Sequence, residues 1–433
     1  MRAAARVDTQ PDAGLLVLDL GAHKALALAV VPAGERAEVR GWAERACALT
    51  SQGMLVDLEA ARRVLSEVLS AAAQPTGRCL RRVVIGVGGG QVKCVPAQGS
   101  VRTKVPVVLQ AAHIDRALDA AADIGLPSDH EVLHVLPSAY RVDGARVVRS
   151  PLGMRARNVI ADAVVVTVRS QVLDAMQRAL ESCGYELVGA AAEPLAAARA
   201  ALSADDRRRG AVLVDIGAET TAAVSYRDGV VRGLAWVPAG GSHVTRDIAF
   251  ALQLDVAHAE ALKRRAGHAL VEGVPPDRQV EVRRGRERLS VGQQMLAGIV
   301  EERMDELLGL ARDGLRAQSA LGLGDRIVLA GGGARLRGAV DLAEQVFASP
   351  ARLASPDESW GWREAAGDPA CCTALGLVEY AVRSGLLRDE PPAPWARALS
   401  GLRRVVGESR GGVRDALRLG RSRQDRHSTS VHA

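Results

Sequence analysis

The stretch LLVLDLGAHKALALAV (residues 15–30) recurs in shape, much later in the chain, as AVLVDIGAETTAAVSY (residues 211–226). Each is an apolar run, an Asp, a break at Gly and a second apolar run. Asp19 stands over Asp215, Gly21 over Gly217 and Ala22 over Ala218. The repeat predicts two halves built on the same strand–turn–strand unit. A glycine at such a turn lets backbone N–H groups approach a phosphate, because it has no Cβ in the way. The Asp before the turn suits Mg2+ held through water, since magnesium gives up its waters reluctantly. Two such hairpins facing each other would clamp a polyphosphate between two jaws, with Asp19 and Asp215 as the candidate metal-holding pair.

A chain of 433 residues exceeds one simple core, so more than one domain is expected. Hydrophobic residues make up 48% and charged residues 24%, an ordinary soluble globular balance. Aromatics are only 3%, so the core must be Leu, Val and Ala. The net charge of +6 owes much to the segment beyond residue 395, which argues for a local basic segment and against a nucleic-acid partner. Cys47, Cys79, Cys94, Cys183, Cys371 and Cys372 form no CxxC pair, and no leader peptide is expected. Both readings fit a reducing cytosol without a zinc site. No apolar run reaches the roughly 18–20 residues that a membrane span needs.

The pattern along the chain alternates strands and helices, which predicts an α/β architecture. Residues 15–30 read as two strands joined at Gly21. Helical spacing marks 55–73, 113–126, 170–186 and 286–317. Strands are expected at 81–92, where VVIGV runs into three glycines, at 129–144, ending in an Asp143–Gly144 turn, and at 158–168. IVLAGGGARLRG (327–338) predicts a strand, a glycine turn at Gly331, Gly332 and Gly333, and a helix whose N-terminus favours anions. Glu260 and Lys263 fall three apart on one helical face.

The two hairpins and the Gly331–Gly333 turn, in this order, resemble the phosphate-1, phosphate-2 and adenosine motifs of the actin/Hsp70/sugar-kinase superfamily. HVLPSAYRVDG with PLGM (134–144, 151–154), AGGSHVTRDIAFALQL with AEALKRRAG (239–267) and DPACCTALGL (368–377) resemble the bacterial cell-division protein FtsA more specifically. The likeness covers about 14–383. It implies an actin-like, duplicated ribonuclease H-like fold with an FtsA-type 1C (SHS2-like) subdomain. By that resemblance, 1–13 is a disordered start and subdomain 1A is 14–82, 167–192 and 361–385. Subdomain 1C is 83–166, 2A is 193–236 and 300–360, and 2B is 237–299. A linker (386–394) leads to a basic amphipathic helix and polar tail (395–433). The implied ligands are ATP or ADP with Mg2+. Their implied contacts are Asp19, Gly21, Ala22, His23, Lys24, Asp215, Gly217, Ala218, Glu219, Thr220, Thr221, Gly240, Gly241, Glu260, Lys263, Gly331, Gly332, Gly333 and Arg335. Glu193 resembles the acidic residue near the attacking water.

The resemblance also implies partners. These are the FtsZ C-terminal tail on 2B, near Arg264, Arg265, Arg283, Arg284 and Arg286; other divisome proteins on 1C; further copies of the chain in filaments; and membrane lipids. Trp395, Leu399, Leu402, Val405 and Val406 form an apolar stripe with Arg403 and Arg404 beside it, as an interfacial helix requires. The expected place is therefore the cytoplasmic side of the membrane at the division site. The family usually reads D-I-G-T-S-K at the first turn and D-I-G-G-G-T-T-D at the second. Here Ala22, His23, Ala218, Glu219 and Ala222 replace hydroxyl, glycine and Asp positions. ATP hydrolysis is accordingly expected to be slow or absent. The alternative functions are an FtsA-like scaffold of a pilus or secretion system and, less well supported, a small-molecule kinase.

Overall fold

The computed structural model describes residues 13–33, 36–123, 125–144, 146–285, 287–322, 324–356 and 360–387. These lie in one compact unit. Residues 1–12 of the expected disordered start (1–13), Arg286 and the membrane stripe at 395–406 lie outside the described residues.

The first apolar–Asp–Gly–apolar run folds into the antiparallel strands Leu15–Leu20 and Lys24–Ala33, with Leu15 opposite Val30. Arg36–Ala46 extends this hairpin on one side, and Arg82–Val87 and Glu186–Ala192 add in parallel on the other. The second run builds Ala211–Ile216 and Thr221–Arg227 in the same way. Val230–Val237 extends it, and Arg326–Ala330 and Ala351–Leu353 add in parallel. The two five-stranded sheets therefore share one strand order and one pattern of directions. The repeat visible as two strands extends to five. The parallel neighbours demand long crossovers, and the helices Leu58–Ala73 and Gln293–Ala317 lie on these connections. Leu15, Leu16, Val17, Leu18, Val212, Leu213 and Val214 are fully buried, as expected of strands covered on both faces.

Between the sheets, the helices Glu193–Ala201 and Cys372–Arg383 pack with almost no separation. A Cβ on Gly376 would lie 1.8 Å from the Ala196 carbonyl oxygen. A separate sheet, in the order Val92–Val108, Arg155–Arg169, His130–Val142, Arg146–Val148, carries the helix Ala111–Ala122 and its own core around Ile114, Val159 and Val165. The expected Asp143–Gly144 turn closes its edge hairpin with φ of +48° and +84°. The Asp143 carboxylate there accepts from the Arg157 and Asn158 N–H groups.

Three expectations shift. The helix predicted at 286–317 starts at Gln293, because Glu287–Gly292 pairs antiparallel with Gln279–Arg284 across Gly285. The apolar residues of that segment, Leu289 and Val291, alternate as in a strand, and the helical spacing begins only at Leu296. The insert expected from residue 83 starts later, since Arg82–Val87 is bonded into the first sheet. The expected 2A–2B boundary at 300 falls inside Gln293–Ala317, whose apolar face joins one core shared by both regions.

Candidate functional site

Both hairpin turns close with the same hydrogen bond. Gly21 N–H donates to the Lys24 carbonyl and Gly217 N–H to the Thr220 carbonyl, each at 2.9 Å. This pairing puts His23 and Glu219 at equivalent tips. Asp19 and Asp215 sit near the ends of their strands, and Glu193 opens the helix Glu193–Ala201. All three side chains belong to half-buried residues deep in the protein. Burial pushes the Asp19 carboxyl up to about 6, with Lys24 opposing and Glu44 adding to the shift. Burial also raises Asp215 to about 6; the Asp19 charge adds to this, and a hydrogen bond from Thr373 pulls it back. Glu193 lies well above the carboxylate range through burial and then repulsion from Asp19 and Asp215. Three mutually repelling carboxyl groups are a donor set of hard oxygens that suits a divalent cation. Among the described residues, no group of three His, Cys, Asp or Glu side chains is placed to hold a metal ion.

The third element presses against the second hairpin. Gly331 has φ +82°, and a Cβ there would lie 2.3 Å from Asp215 Oδ1 and 2.5 Å from the Ile216 carbonyl oxygen. A Cβ on Gly333 would lie 2.4 Å from Ile216 Cγ2, whereas Gly332 faces open space. The expected helix does not follow at once. A 3-10 turn, Gly332–Arg335, comes first, and the α-helix Ala339–Phe347 begins after Gly338. Gly331 N–H donates to the Pro369 carbonyl, and Thr373 Oγ1 donates to Asp215 Oδ2 at 3.2 Å. The DPACCTALGL segment thus ties both the glycine turn and Asp215 to the first half.

Gly240 and Gly241 roof the second turn. Gly241 N–H donates to the Gly217 carbonyl and Ser242 N–H to the Ala218 carbonyl. Lys263 Nζ reaches the Gly241 carbonyl and Thr245 Oγ1, both at 2.8 Å, and Glu260 at 2.7 Å. Burial alone would raise Glu260, but hydrogen bonds from Lys263, Thr245 and Arg264 bring its carboxyl down to about 2. The Glu260–Lys263 pair is therefore a fixed, half-buried unit beside the turn. Thr221, fully buried, donates to the Ala239 carbonyl. Glu219 pairs with Arg246 at 3.0 Å and accepts from Ser51 at 3.2 Å. Two expected contacts are engaged elsewhere: Lys24 sits on Glu44 at 2.6 Å, and the Arg335 guanidinium forks onto Asp368.

Sequence reasoning missed three participants. A Cβ on Gly88 would lie 1.9 Å from Glu193 Oε2, so Gly88 makes room for that carboxyl. The likeness of VVIGVGGG to IVLAGGG is the signal that would have found it. Thr373 was inside a quoted motif but received no role. His134 Nε2 accepts from the Ala192 N–H at 3.0 Å, which links the inserted sheet to the residue just before Glu193. Of the basic cluster expected to hold a partner, Arg264 pairs with Glu260 and Arg284 with Glu287. Arg265 and Arg283, with His258, Leu262, Val282 and Arg288, line a cavity of about 320 Å³.

The family model "Cell division protein FtsA" matches residues 212–376, and "SHS2 domain inserted in FTSA" matches 89–167. The cell-division protein FtsA of Pseudomonas aeruginosa is 32% identical over 87% of this chain and 94% of that protein. The Escherichia coli K12 protein of the same name is 30% identical over 77% and 82%, and that of Bacillus subtilis 28% over 78% and 76%. Among solved structures, a PilM–PilN type IV pilus biogenesis complex aligns with TM-score 0.62 at 20% identity, over 85% of this chain and 98% of that one. MreB5 of Spiroplasma citri bound to ADP aligns with TM-score 0.52 at 14% identity, over 86% and 98%. The fold is actin-like, with an SHS2 domain inserted in the first half.

Proposed function

The chain belongs to the FtsA family of cell-division proteins, and from that premise we propose that it is an adenine-nucleotide-binding adaptor. It joins FtsZ polymers to the cytoplasmic face of the membrane and recruits division proteins. The observation that carries the nucleotide part is that Asp19 and Asp215, on two hairpins of identical topology, and Glu193, at the start of the helix Glu193–Ala201, share one buried electrostatic neighbourhood. Asp19 and Asp215 would hold Mg2+ through water, and the ion would supply the positive charge that offsets both phosphates and carboxylates. The glycine-bearing turns bring backbone N–H groups toward the phosphates, and Gly331–Gly333 leaves a flat wall for the nucleoside. Glu260 and Lys263 present polar atoms beside it. Glu193 orients water through its carboxyl, and Gly88 gives that group its space.

Hydrolysis is slow or absent in this reading. Ala222 stands directly across the ladder from Asp215, where the family pattern has a second Asp. Cross-strand neighbours on one face are about 5 Å apart, so the missing carboxyl is one that would meet the water and metal. Misplacing such groups slightly costs about 100-fold in rate.

For partners, the cavity lined by Arg265, Arg283 and Arg288, with Glu281 the one carboxylate among its lining residues, is the proposed place for an acidic or C-terminal peptide such as the FtsZ tail. The inserted sheet is the proposed docking face for division proteins, and self-association follows the actin-like plan. Membrane attachment is proposed through 395–406. No helix among the described residues is long and apolar enough to cross a membrane. A scaffold of a pilus or secretion system shares this fold, but the relatives at 28–32% identity favour the division reading.

Fluorescent-ATP binding to the full chain, to Asp19→Ala and to Gly332→Asp tests the site: the native protein should bind and both folded variants should not. Equal affinity in all three, or no binding by the folded native protein, refutes it. Co-sedimentation with FtsZ, and flotation with anionic liposomes before and after truncation at Asp389, test the adaptor role.

A further inference from the structure

We propose that Glu219 makes the cleft discriminate by phosphate number, favouring a nucleoside diphosphate over a triphosphate. The inference rests on the nucleotide reading above and specifies the ligand of that site. Glu219 occupies the tip of the second turn, at the position His23 holds in the first. Its carboxylate does not face solvent freely. One oxygen pairs with Arg246 in the helix Gly241–Leu252, and the other accepts from Ser51 in the opposite half of the protein. Ser51 belongs to the short hairpin Thr50–Ser51 with Met54–Leu55, which lies against the Gly88–Gly89 turn. A Cβ on Gly53 would be 2.0 Å from the Gly88 carbonyl oxygen, and one on Gly89 would be 2.1 Å from that of Gln52. Gly88 in turn packs on Glu193.

The Glu219 carboxylate therefore links the second turn, through Ser51, to the short hairpin packed on the first-half glycine turn that seats Glu193. In the nucleotide reading, a phosphate chain running from Gly331–Gly333 toward Glu193 would bring its terminal group closest to this strap. On such a path a diphosphate would end before the strap, whereas a triphosphate would set a further anion beside a carboxylate. In a half-buried site, one such like-charge contact is worth about tenfold or more in affinity. Arg246 offsets part of this charge, so the balance between Glu219 and Arg246 tunes the preference.

The two partners predict opposite effects. Affinities of the full chain for Mg-ADP and Mg-ATP are measured by titration calorimetry for the native protein, Glu219→Gln and Arg246→Ala, each first checked for an intact melting transition. Removing the charge in Glu219→Gln should raise the ATP-to-ADP affinity ratio about tenfold. Leaving the carboxylate uncompensated in Arg246→Ala should lower that ratio several-fold, by roughly the same electrostatics. Ratios that are unchanged in both variants, or that move in the same direction, overturn the inference and leave the nucleotide reading standing. If the folded native protein binds neither nucleotide, both fall.

Discussion

The two hairpin turns close with the same hydrogen bond, yet their tips differ in charge and in what they reach. His23 of the first half lies 3.5 Å from the Arg264 guanidinium in the second half. Glu219 of the second half accepts from Ser51 in the first. Each tip thus crosses to the other side, one through an imidazole ring and one through a carboxylate. Their surroundings diverge as well. Counting on from the ladder pairs Leu18–Ile85 and Val214–Leu329, Val87 stands where the second half has Gly331. Val87 is a buried core residue, while Gly331 has no room for any side chain. The first half spends this position on packing and continues into the inserted sheet. The second spends it on bringing a backbone turn flush against Asp215. Duplication supplied one scaffold; the site arises from what each copy did at a few turn positions.

That comparison can be broken most sharply at Gly331. Gly331→Ala combines a left-handed backbone with contacts below 3 Å to Asp215 and Ile216. It should cost about 3 kcal/mol or more, by overpacking plus strain. Gly332→Ala, one residue on with nothing within 4 Å, should melt within a few degrees of the native protein. Comparable melting of the two variants would contradict the close approach.

Next in size is His134, whose ring bonds the backbone before Glu193 in the first half only. His134→Ala should cost about 2–3 kcal/mol, by leaving the buried Ala192 N–H unpaired and a cavity behind it. Chemical denaturation measures this, and a loss below 0.5 kcal/mol would show that the link carries no load.

Asp19→Asn and Asp215→Asn should each raise the melting temperature of the nucleotide-free protein by a few degrees, since each replaces a carboxyl whose ionised form burial disfavours. Both should weaken Mg-nucleotide binding at the same time. The sign contrast separates a functional carboxylate from a structural one; a lower melting temperature in both variants would argue for structural ion pairing.

The smallest expected effect is Thr373→Val. It removes the hydrogen bond that only Asp215 receives and should cost about 1 kcal/mol. A scan of thermal melts checks it, and a change of 3 kcal/mol or more would point to a wider role for the Thr373 segment.

The apolar–Asp–Gly–apolar pattern determined by itself that two like hairpins exist, with an Asp near the end of each first strand. The reason is local: period and turn chemistry act within a dozen residues. The Asp143–Gly144 turn was legible for the same reason. Tertiary structure alone decided that Asp19, Asp215 and Glu193 share one electrostatic neighbourhood, because carboxyl repulsion depends on distance in space across three separate elements. It also decided that Lys24 and Arg335 are spent on Glu44 and Asp368, and that Glu219 reaches Ser51. A side chain's partner is chosen by whichever opposite group the fold brings within a few ångströms, and spacing along the chain does not encode that. The start of the helix at Gln293 has a local origin instead. In Glu287–Gly292 the apolar residues Leu289 and Val291 alternate with polar ones, and the segment pairs as a strand with Gln279–Arg284.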